Sequence, residues 1–483
     1  MNILVLNGSP KGLTSVTMQY VHYLQKKLGG HDFKIENISQ HINRLERDSS
    51  AFAAVLDKVA GAEAVLWAFP VYYFVVPSQY KRFIELVSEG DGRAAFAGKY
   101  AASLSTSIHI LDHTAHNYVH AVAEDLGMNF FGSFSADMED LFKKEERRNL
   151  LRFGRAFLEA AEKKAPVARV FEQLPKKAEA YSPKHPETLV DPGKLKILLL
   201  TDQEEDDNNL AALTARFTEA FSGGIRTVNI RELAIKSGCV GCIKCGWDNS
   251  CRFDKSDDFR RFYDEAVKGA DVLVLAGKMR DRYLSARWKA WFDRSFYNGH
   301  CPSLTGKQLA FLIEGPLRQN SNLRQVLESY TRMMEANLAG IVTDEDGSAA
   351  IDLLVDSLAA RIVENAQSGY MAPPTFIPVG VMNIFRNEIG GRLRFVFEAD
   401  HHFYKKRGFY RVPQKTARTK LVNAAMLSLL KIPALRKQVY STIPKEMIRP
   451  YSPILALADK EDLEGAGGGS LAARIISGIF DRM

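Results

Sequence analysis

Cysteine is scarce in this chain and unevenly placed. Five occur in 483 residues, and four of them fall within the thirteen positions from Cys239 to Cys251. That distribution excludes a disulfide framework. No apolar run approaches the ~18 residues needed to span a bilayer. The chain opens Met1-Asn2-Ile3-Leu4-Val5-Leu6-Asn7, with neither a basic leader nor a long apolar segment, which reads as a first strand rather than a secretory signal. These absences set the expectation of a cytoplasmic protein, where thiols stay reduced. Neither G-x-G-x-x-G nor a Walker sequence follows the first strand, so a dinucleotide pyrophosphate or a nucleoside triphosphate is a poor match there. No acid–base pair stands out, and catalytic residues stay unassigned. Acidic residues are missing from Lys405 through Lys445, a stretch that holds eleven Lys and Arg. The net charge of +7 therefore collects in the C-terminal part, and an excess of that size does not imply nucleic acid.

What is present is ample apolar material. Hydrophobic residues make up 46% and aromatics 10%, and the length allows about three domains. The scarce cysteines carry the strongest motif, Cys239-x2-Cys242-x2-Cys245-x5-Cys251, on a loop containing Gly238, Gly241 and Gly246. Thiolates three residues apart on a tight loop converge on one point, as a chain does around a cubane 4Fe-4S cluster. A structural zinc also takes four thiolates, usually from two separated C-x2-C knuckles, and a redox dithiol is the third possibility. Lys236, Lys244, Arg252 and Lys255 would offset part of a cluster's negative charge. Cys301 stands apart and reads as a buried small hydrophobe.

Ile3 to Leu6 predicts a short buried strand, followed by the turn Asn7-Gly8-Ser9-Pro10-Lys11 and by Ser15, Val16 and Thr17 at the start of a helix with apolar period through Met18, Val21, Leu24 and Leu28. A strand, a hydroxyl-rich loop and a helix N-terminus form an anion site that suits phosphate. Ala64 to Phe69 predicts a second strand ending at Pro70-Val71-Tyr72-Tyr73, whose aromatic rings suit the flank of a flat ring system. Tyr100 to Leu104 predicts a third, ending at Ser105-Thr106-Ser107. His109, His113 and His116 read as solvated or capping residues. Strands that end in polar loops and alternate with amphipathic helices predict a doubly wound α/β domain.

The pattern then repeats. Residues 165–193 lose periodicity, carry five prolines and read as a linker. Lys194 to Leu200 mirrors the first strand, Ala270 to Ala276 mirrors Ala62 to Ala68, and Gly306 to Phe311 mirrors Gly98 to Ser103, so the chain is an internal duplication. The halves diverge at their sites. The second has Glu204-Glu205-Asp206-Asp207 after its first strand, which would repel a phosphate dianion and also suits a solvated helix start. The first has Ile42-Asn43-Arg44-Leu45 where the second has its cysteines.

Asn7-Gly8-Ser9-Pro10-Lys11 with Ser15-Val16-Thr17, and Pro70-Val71-Tyr72-Tyr73 with Lys81, resemble the flavodoxin-like NAD(P)H-dependent FMN reductases over residues 1 to 160. The resemblance implies that the first loop holds the FMN phosphate, that the second lies against the isoalloxazine edge, and that NAD(P)H is a possible electron donor. Val16 stands where that family usually has Asn, so one side-chain contact is missing. The cysteine segment, with Asp257-Asp258 and Tyr283 to Arg294, looks like the iron–sulfur flavoproteins, a branch of the same fold, over residues 194 to 370. That likeness implies Cys239, Cys242, Cys245 and Cys251 as cluster ligands and electron exchange between FMN and cluster, here inside an internal pseudo-dimer.

The expected organisation is a flavodoxin-like FMN domain over 1–164, the linker at 165–193, a flavodoxin-like iron–sulfur domain over 194–372, and a mainly helical basic extension over 373–483. In that extension Leu421, Val422, Met426, Leu427, Leu429 and Leu430 with flanking basic residues suggest a cationic helix that packs on the protein itself, docks an acidic redox partner or touches an anionic membrane surface. Gly465 to Ser470 reads as a hinge before a last helix, Leu471 to Phe480. Asp400-His401-His402 lacks a third spaced ligand and does not read as a metal site. The function expected is an oxidoreductase that passes electrons from NAD(P)H or a small carrier through FMN and a 4Fe-4S cluster to an acceptor. The sequence leaves two other functions open, an FMN-dependent quinone or nitro reductase with a structural zinc, and a non-catalytic scaffold. The candidate cofactor-binding residues are Ser9, Lys11, Ser15, Val16, Thr17, Pro70, Val71, Tyr72, Tyr73, Ser105, Thr106 and Ser107.

Overall fold

The computed structural model describes residues 1–175, 179–410 and 417–449. Strands β1 (Asn2–Asn7), β2 (Asp32–Glu36), β3 (Ala64–Pro70), β4 (Tyr100–Ser107) and β5 (Asn129–Asp137) form a parallel sheet in the order β2-β1-β3-β4-β5. Strands β6 (Ile197–Thr201), β7 (Arg226–Asn229), β8 (Val272–Lys278), β9 (Gln308–Glu314) and β10 (Asn337–Thr343) repeat it as β10-β9-β8-β6-β7. The registers correspond, with Ile3 opposite Ala64 and Ile197 opposite Val272. The central strands are continuous apolar runs because helices cover both faces of each sheet. The chain is thus two tandem flavodoxin-like α/β domains followed by helices. In each sheet the chain reverses direction of travel beside its first strand, which opens a crevice at the carboxyl ends of the strands.

The repeats are joined by their most polar buried contacts. The Ser78–Glu89 helix follows β3, and the Ala286–Ser295 helix follows β8 at the corresponding place. Each lends a carboxylate to the other's N-terminus. Asp293 Oδ2 accepts from the Ser78 N–H at 2.8 Å, and Glu85 Oε1 accepts from the Ala286 N–H at 2.7 Å. Each carboxylate also holds a fully buried lysine one turn earlier on its own helix, Lys81 with Glu85 at 2.7 Å and Lys289 with Asp293. Arg282 grips Asp125 with two bonds of 2.6 and 2.7 Å, and Asn322 Nδ2 donates to the Thr114 carbonyl. The two faces that meet are the same face of each repeat.

Among its described residues, the connection between the repeats has little regular structure but is held by side chains of both repeats. Glu124 accepts from the N–H groups of Val170 and Phe171, and buried Tyr181 donates to Asp352 at 2.6 Å. The compact unit runs on through Arg407 and so includes the helices Phe376–Gly390 and Glu398–Lys406. A second unit begins at Gly408 and contains the helices Ala417–Leu429 and Pro433–Ile448. Leu421, Leu427, Ile432 and Tyr440 are exposed in it, interspersed with Lys420, Lys431, Arg436 and Lys437. The expected hinge at Gly465 and the last helix lie outside the described residues. Among the described residues, no helix is long and apolar enough to cross a membrane.

Candidate functional site

A cavity of about 400 Å³ lies at the carboxyl ends of the first sheet. Ser9, Lys11, Ser15, Val16, Thr17, Pro70, Val71, Tyr72, Tyr73, Thr106 and Ser107 all line it. Local hydrogen bonds shape the phosphate-type loop. Asn7 Oδ1 accepts from the Ser9 N–H at 3.0 Å, and Ser15 Oγ caps the Val16–Lys27 helix by accepting from the Met18 N–H at 3.2 Å. The N–H groups of Val16 and Thr17 belong to the first turn, which has no intrahelical acceptors for them. Thr17 Oγ1 and Thr106 Oγ1 are 2.6 Å apart and tie this loop to β4.

The aromatic loop after β3 is a tight reversal. Tyr72 and Val75 exchange backbone hydrogen bonds of 2.9 and 3.1 Å, and Tyr73 and Phe74 have φ of +38° and +68°. Left-handed backbone at two bulky residues costs energy and marks a constrained site. Lys289 of the second repeat holds the turn by donating to the Tyr72 carbonyl at 2.9 Å. Burial, with Cys239 beside it, pushes the Tyr72 hydroxyl well up, which keeps it neutral.

Ser105 is not among the cavity residues. Its Oγ lies 2.8 Å from His116 Nε2, and Ser103 Oγ lies 2.7 Å from Nδ1 of the same ring. His116 is therefore a buried bridge inside the core, contrary to its sequence-based reading as solvated or capping. Burial lowers its pKa to about 4 and keeps it neutral. Alternation along β4 explains both outcomes, since Ser103 and Ser105 share one face of the strand.

The cysteine loop of the second repeat forms another wall of the same cavity through Cys239, Gly241 and Ile243. Gly241 has φ +64°, and a Cβ there would meet Tyr72 Oη and approach Lys11 Cε to 2.8 Å. Only glycine lets the loop come this close to the first repeat. Behind it, Cys239, Cys242, Cys245 and Cys251 all line one void of about 30 Å³, with Arg252, Phe253, Arg294 and Tyr297. Cys239 and Cys245 are pushed up to about 12 by burial, to which the neighbouring thiols add, so joint ionisation of the set calls for positive charge at its centre. The Gly241 N–H donates to Cys239 Sγ at 3.4 Å. Arg294, paired with Asp257 at 2.6 and 2.9 Å, has a buried Nε with no partner. A buried donor beside four thiols suits a sulfur-rich anionic group.

The corresponding place in the second repeat is filled. Asp207 stands where the first repeat has Ser15, fully buried and paired with Lys278 at 2.9 Å and Arg280 at 2.6 Å. Arg280 and Arg231 also bind Glu204. Asp207 and Glu204 occupy the anion position and carry their own counter-ions, while Glu205 and Asp206 between them are exposed, so the run is part ion-pair cluster and part solvated helix start.

Sequence reasoning missed the remaining wall. Met382, Phe385, Leu393, Val396 and Phe397 come from the extension after the second repeat, and Phe296, His300 and Cys301 from the loop after the Ala286–Ser295 helix. Cys301 is buried, as expected. Asp400 does not pair with the adjacent His401 or His402 to bind a metal but reaches the His300 imidazole at 2.7 Å, a contact between distant residues that local spacing does not carry.

A twisted parallel sheet with an anion-binding helix N-terminus at its switch point defines a nucleotide-cofactor α/β protein of the flavodoxin type. The family model for NADPH-dependent FMN reductases, a family of oxidoreductases, matches residues 1–138, most of the amino-terminal repeat. An iron–sulfur flavoprotein of Archaeoglobus fulgidus is 25% identical over 187 residues, 35% of this chain and 79% of that protein. Among solved structures, an apo NADH:FMN oxidoreductase is similar at 18% identity and TM-score 0.29, over 33% of this chain and 89% of that one. A flavoenzyme NAD(P)H:(acceptor) oxidoreductase from Paracoccus denitrificans shares 19% identity at TM-score 0.26, over 34% and 97%.

Proposed function

We propose that the chain couples two-electron chemistry at FMN in the first repeat to one-electron transfer through a 4Fe-4S cluster in the second, taking electrons from NAD(P)H or a small carrier. The observation that carries this reading is the shared cavity, which both the phosphate-type loop and the cysteine loop line. The first-turn N–H groups of Val16 and Thr17, with the Ser9 and Ser15 hydroxyls, would hold the phosphate. Tyr72 and Tyr73 would flank the ring system. Cys239, Cys242, Cys245 and Cys251 would ligate the cluster, and Arg294 Nε–H would donate to it. Bound there, FMN supplies hydride chemistry and the cluster supplies single-electron steps. The chain's own part is to place the two sites side by side and keep water from the inner wall with Phe296, Phe385 and Phe397.

The order of the cysteines along the chain favours a cluster over zinc, since all four come from one C-x2-C-x2-C-x5-C segment whereas a structural zinc usually draws its thiolates from two separated C-x2-C knuckles. Cys242 is exposed, which offers a redox partner a short path to the cluster.

Anaerobic purification followed by absorption spectroscopy and counts of iron, zinc and flavin tests the proposal. Flavin bands with a broad absorbance near 400 nm that dithionite bleaches, and about four irons per chain, are expected. A colourless protein carrying one zinc overturns it.

A further inference from the structure

The cysteine loop belongs to the second repeat but rests on the first. Arg287 and Arg294 of its own repeat hold the stretch leading into it, through the carbonyls of Ile230, Leu233, Ile235 and Ser237. From Gly238 onward the supports change. Gly238 packs so closely on the Ser78 hydroxyl that a Cβ would overlap it. Gln79 Nε2 donates to the Cys239 carbonyl and to Ser237 Oγ, both at 3.3 Å. Gly241 then packs on Tyr72 and Lys11, one from each of the two loops assigned to flavin.

Both partners in this contact are strained. Gly241 and Ile243 have φ of +64° and +60°, and Tyr73 and Phe74 of the opposing turn have +38° and +68°. From Ile230 to Asp258 the one regular element among the described residues is the four-residue helix Cys245–Asp248. A loop with left-handed bulky residues and so little secondary structure keeps its shape only where its surroundings over-determine it. Ser78 and Gln79, both buried, supply that support from the first turn of the Ser78–Glu89 helix. Lys289 ties this seat to the turn, since it pairs with Asp293, which caps Ser78, and donates to the Tyr72 carbonyl at 2.9 Å.

We propose that Gln79 and Tyr72 are positioning residues for the metal centre, and that flavin and cluster are retained cooperatively through them. The proposal rests on the reading above and adds that each site is complete only when the other is filled. Its two states are the cysteine loop seated on Ser78, Gln79 and Tyr72, and the same loop lifted away. Four thiols gathered on one centre favour the seated loop, and a ligand held against Tyr72 and Lys11 fixes the surface that receives it. Each ligand thus prefers the same state, which is the condition for coupling, and the effect on affinity is reciprocal.

The probe is FMN, and its Kd is read from quenching of flavin fluorescence on the anaerobic full chain, first with iron bound and then after a chelator has removed it. Iron removal should raise the Kd about tenfold. Gln79 does not line the cavity, so Gln79→Ala should leave the Kd of the iron-free protein unchanged while bringing the ratio to within about twofold of one. A direct attraction between the two groups would survive that substitution, and a general loss of stability would alter the iron-free Kd as well. In the reverse direction, saturating FMN should slow iron release to bathophenanthroline disulfonate about tenfold in the wild type and hardly at all in Gln79→Ala. The wild-type ratio stands as a test even where the variant loses iron on isolation. Equal Kd values with and without iron, or a ratio that Gln79→Ala leaves intact, would overturn the proposal. A protein that takes up no flavin, or no iron, would instead sink the reading on which it rests.

Discussion

Gly241 and Asp202 show how single residues divide the work between the two repeats. Gly241 combines a left-handed backbone with contact to Tyr72 and Lys11. Gly241→Ala should therefore cost about 1–3 kcal/mol and lower the iron retained per chain, read by thermal unfolding and metal analysis. Asp202 sits at the end of β6, buried and accepting from the Ser285 hydroxyl. Burial lifts its carboxyl to about 6. The folded state thus holds this proton more tightly than the unfolded chain does, so the stability that the neutral form lends is complete below about pH 4 and lost as pH rises through 6. Asp202→Asn should stabilise the protein by about 2 kcal/mol at pH 7.5, and urea unfolding should show that gain vanish near pH 4. The cysteine spacing and the Ser15 cap were legible in the sequence because each is a local pattern. The turning of Ser105 toward His116 was not, because it depends on which face of β4 meets the core.

At the scale of elements, the Ser78–Glu89 and Ala286–Ser295 helices form the joint between the repeats. Their lysines and carboxylates share one spacing, Lys81 with Glu85 and Lys289 with Asp293, and each carboxylate reaches across to the partner helix. Lys81 also lies 3.1 Å from Asp281 of the second repeat. Lys81→Met would leave Glu85 and Asp281 buried near each other with less neutralising charge, and a cost of about 3–5 kcal/mol is expected. Adding Glu85→Leu and Asp281→Leu should recover part of that loss in denaturant unfolding, since an apolar core tolerates what a lone buried charge does not. Both sheets were readable strand by strand, because apolar runs bounded by Gly and Pro carry their own signal. The joint was not, since a lysine and a carboxylate four residues apart look the same on a solvated helix as on a buried one.

For the whole molecule, duplication has let the two copies specialise at equivalent places. The first repeat leaves its helix N-terminus open to an anion, and the second closes its own with Asp207, Lys278 and Arg280 while presenting cysteines to its sibling. The extension after the second repeat carries no third copy of the pattern, and its contribution to the cavity could not be read from periodicity. Its side chains matter through long-range contact, Met382 and Phe397 against the cavity and Asp400 against His300. The lining residues of both voids lie between Ser9 and Phe397. Truncation after Tyr410 should therefore leave flavin and iron per chain at full-length values. Truncation after Met371 removes one wall of the cavity together with Asp400, and flavin retention through gel filtration should fall at least tenfold. Equal retention in the two truncated proteins would mean that the extension does not help to hold the cofactor, and that the sheet loops and the cysteine segment suffice.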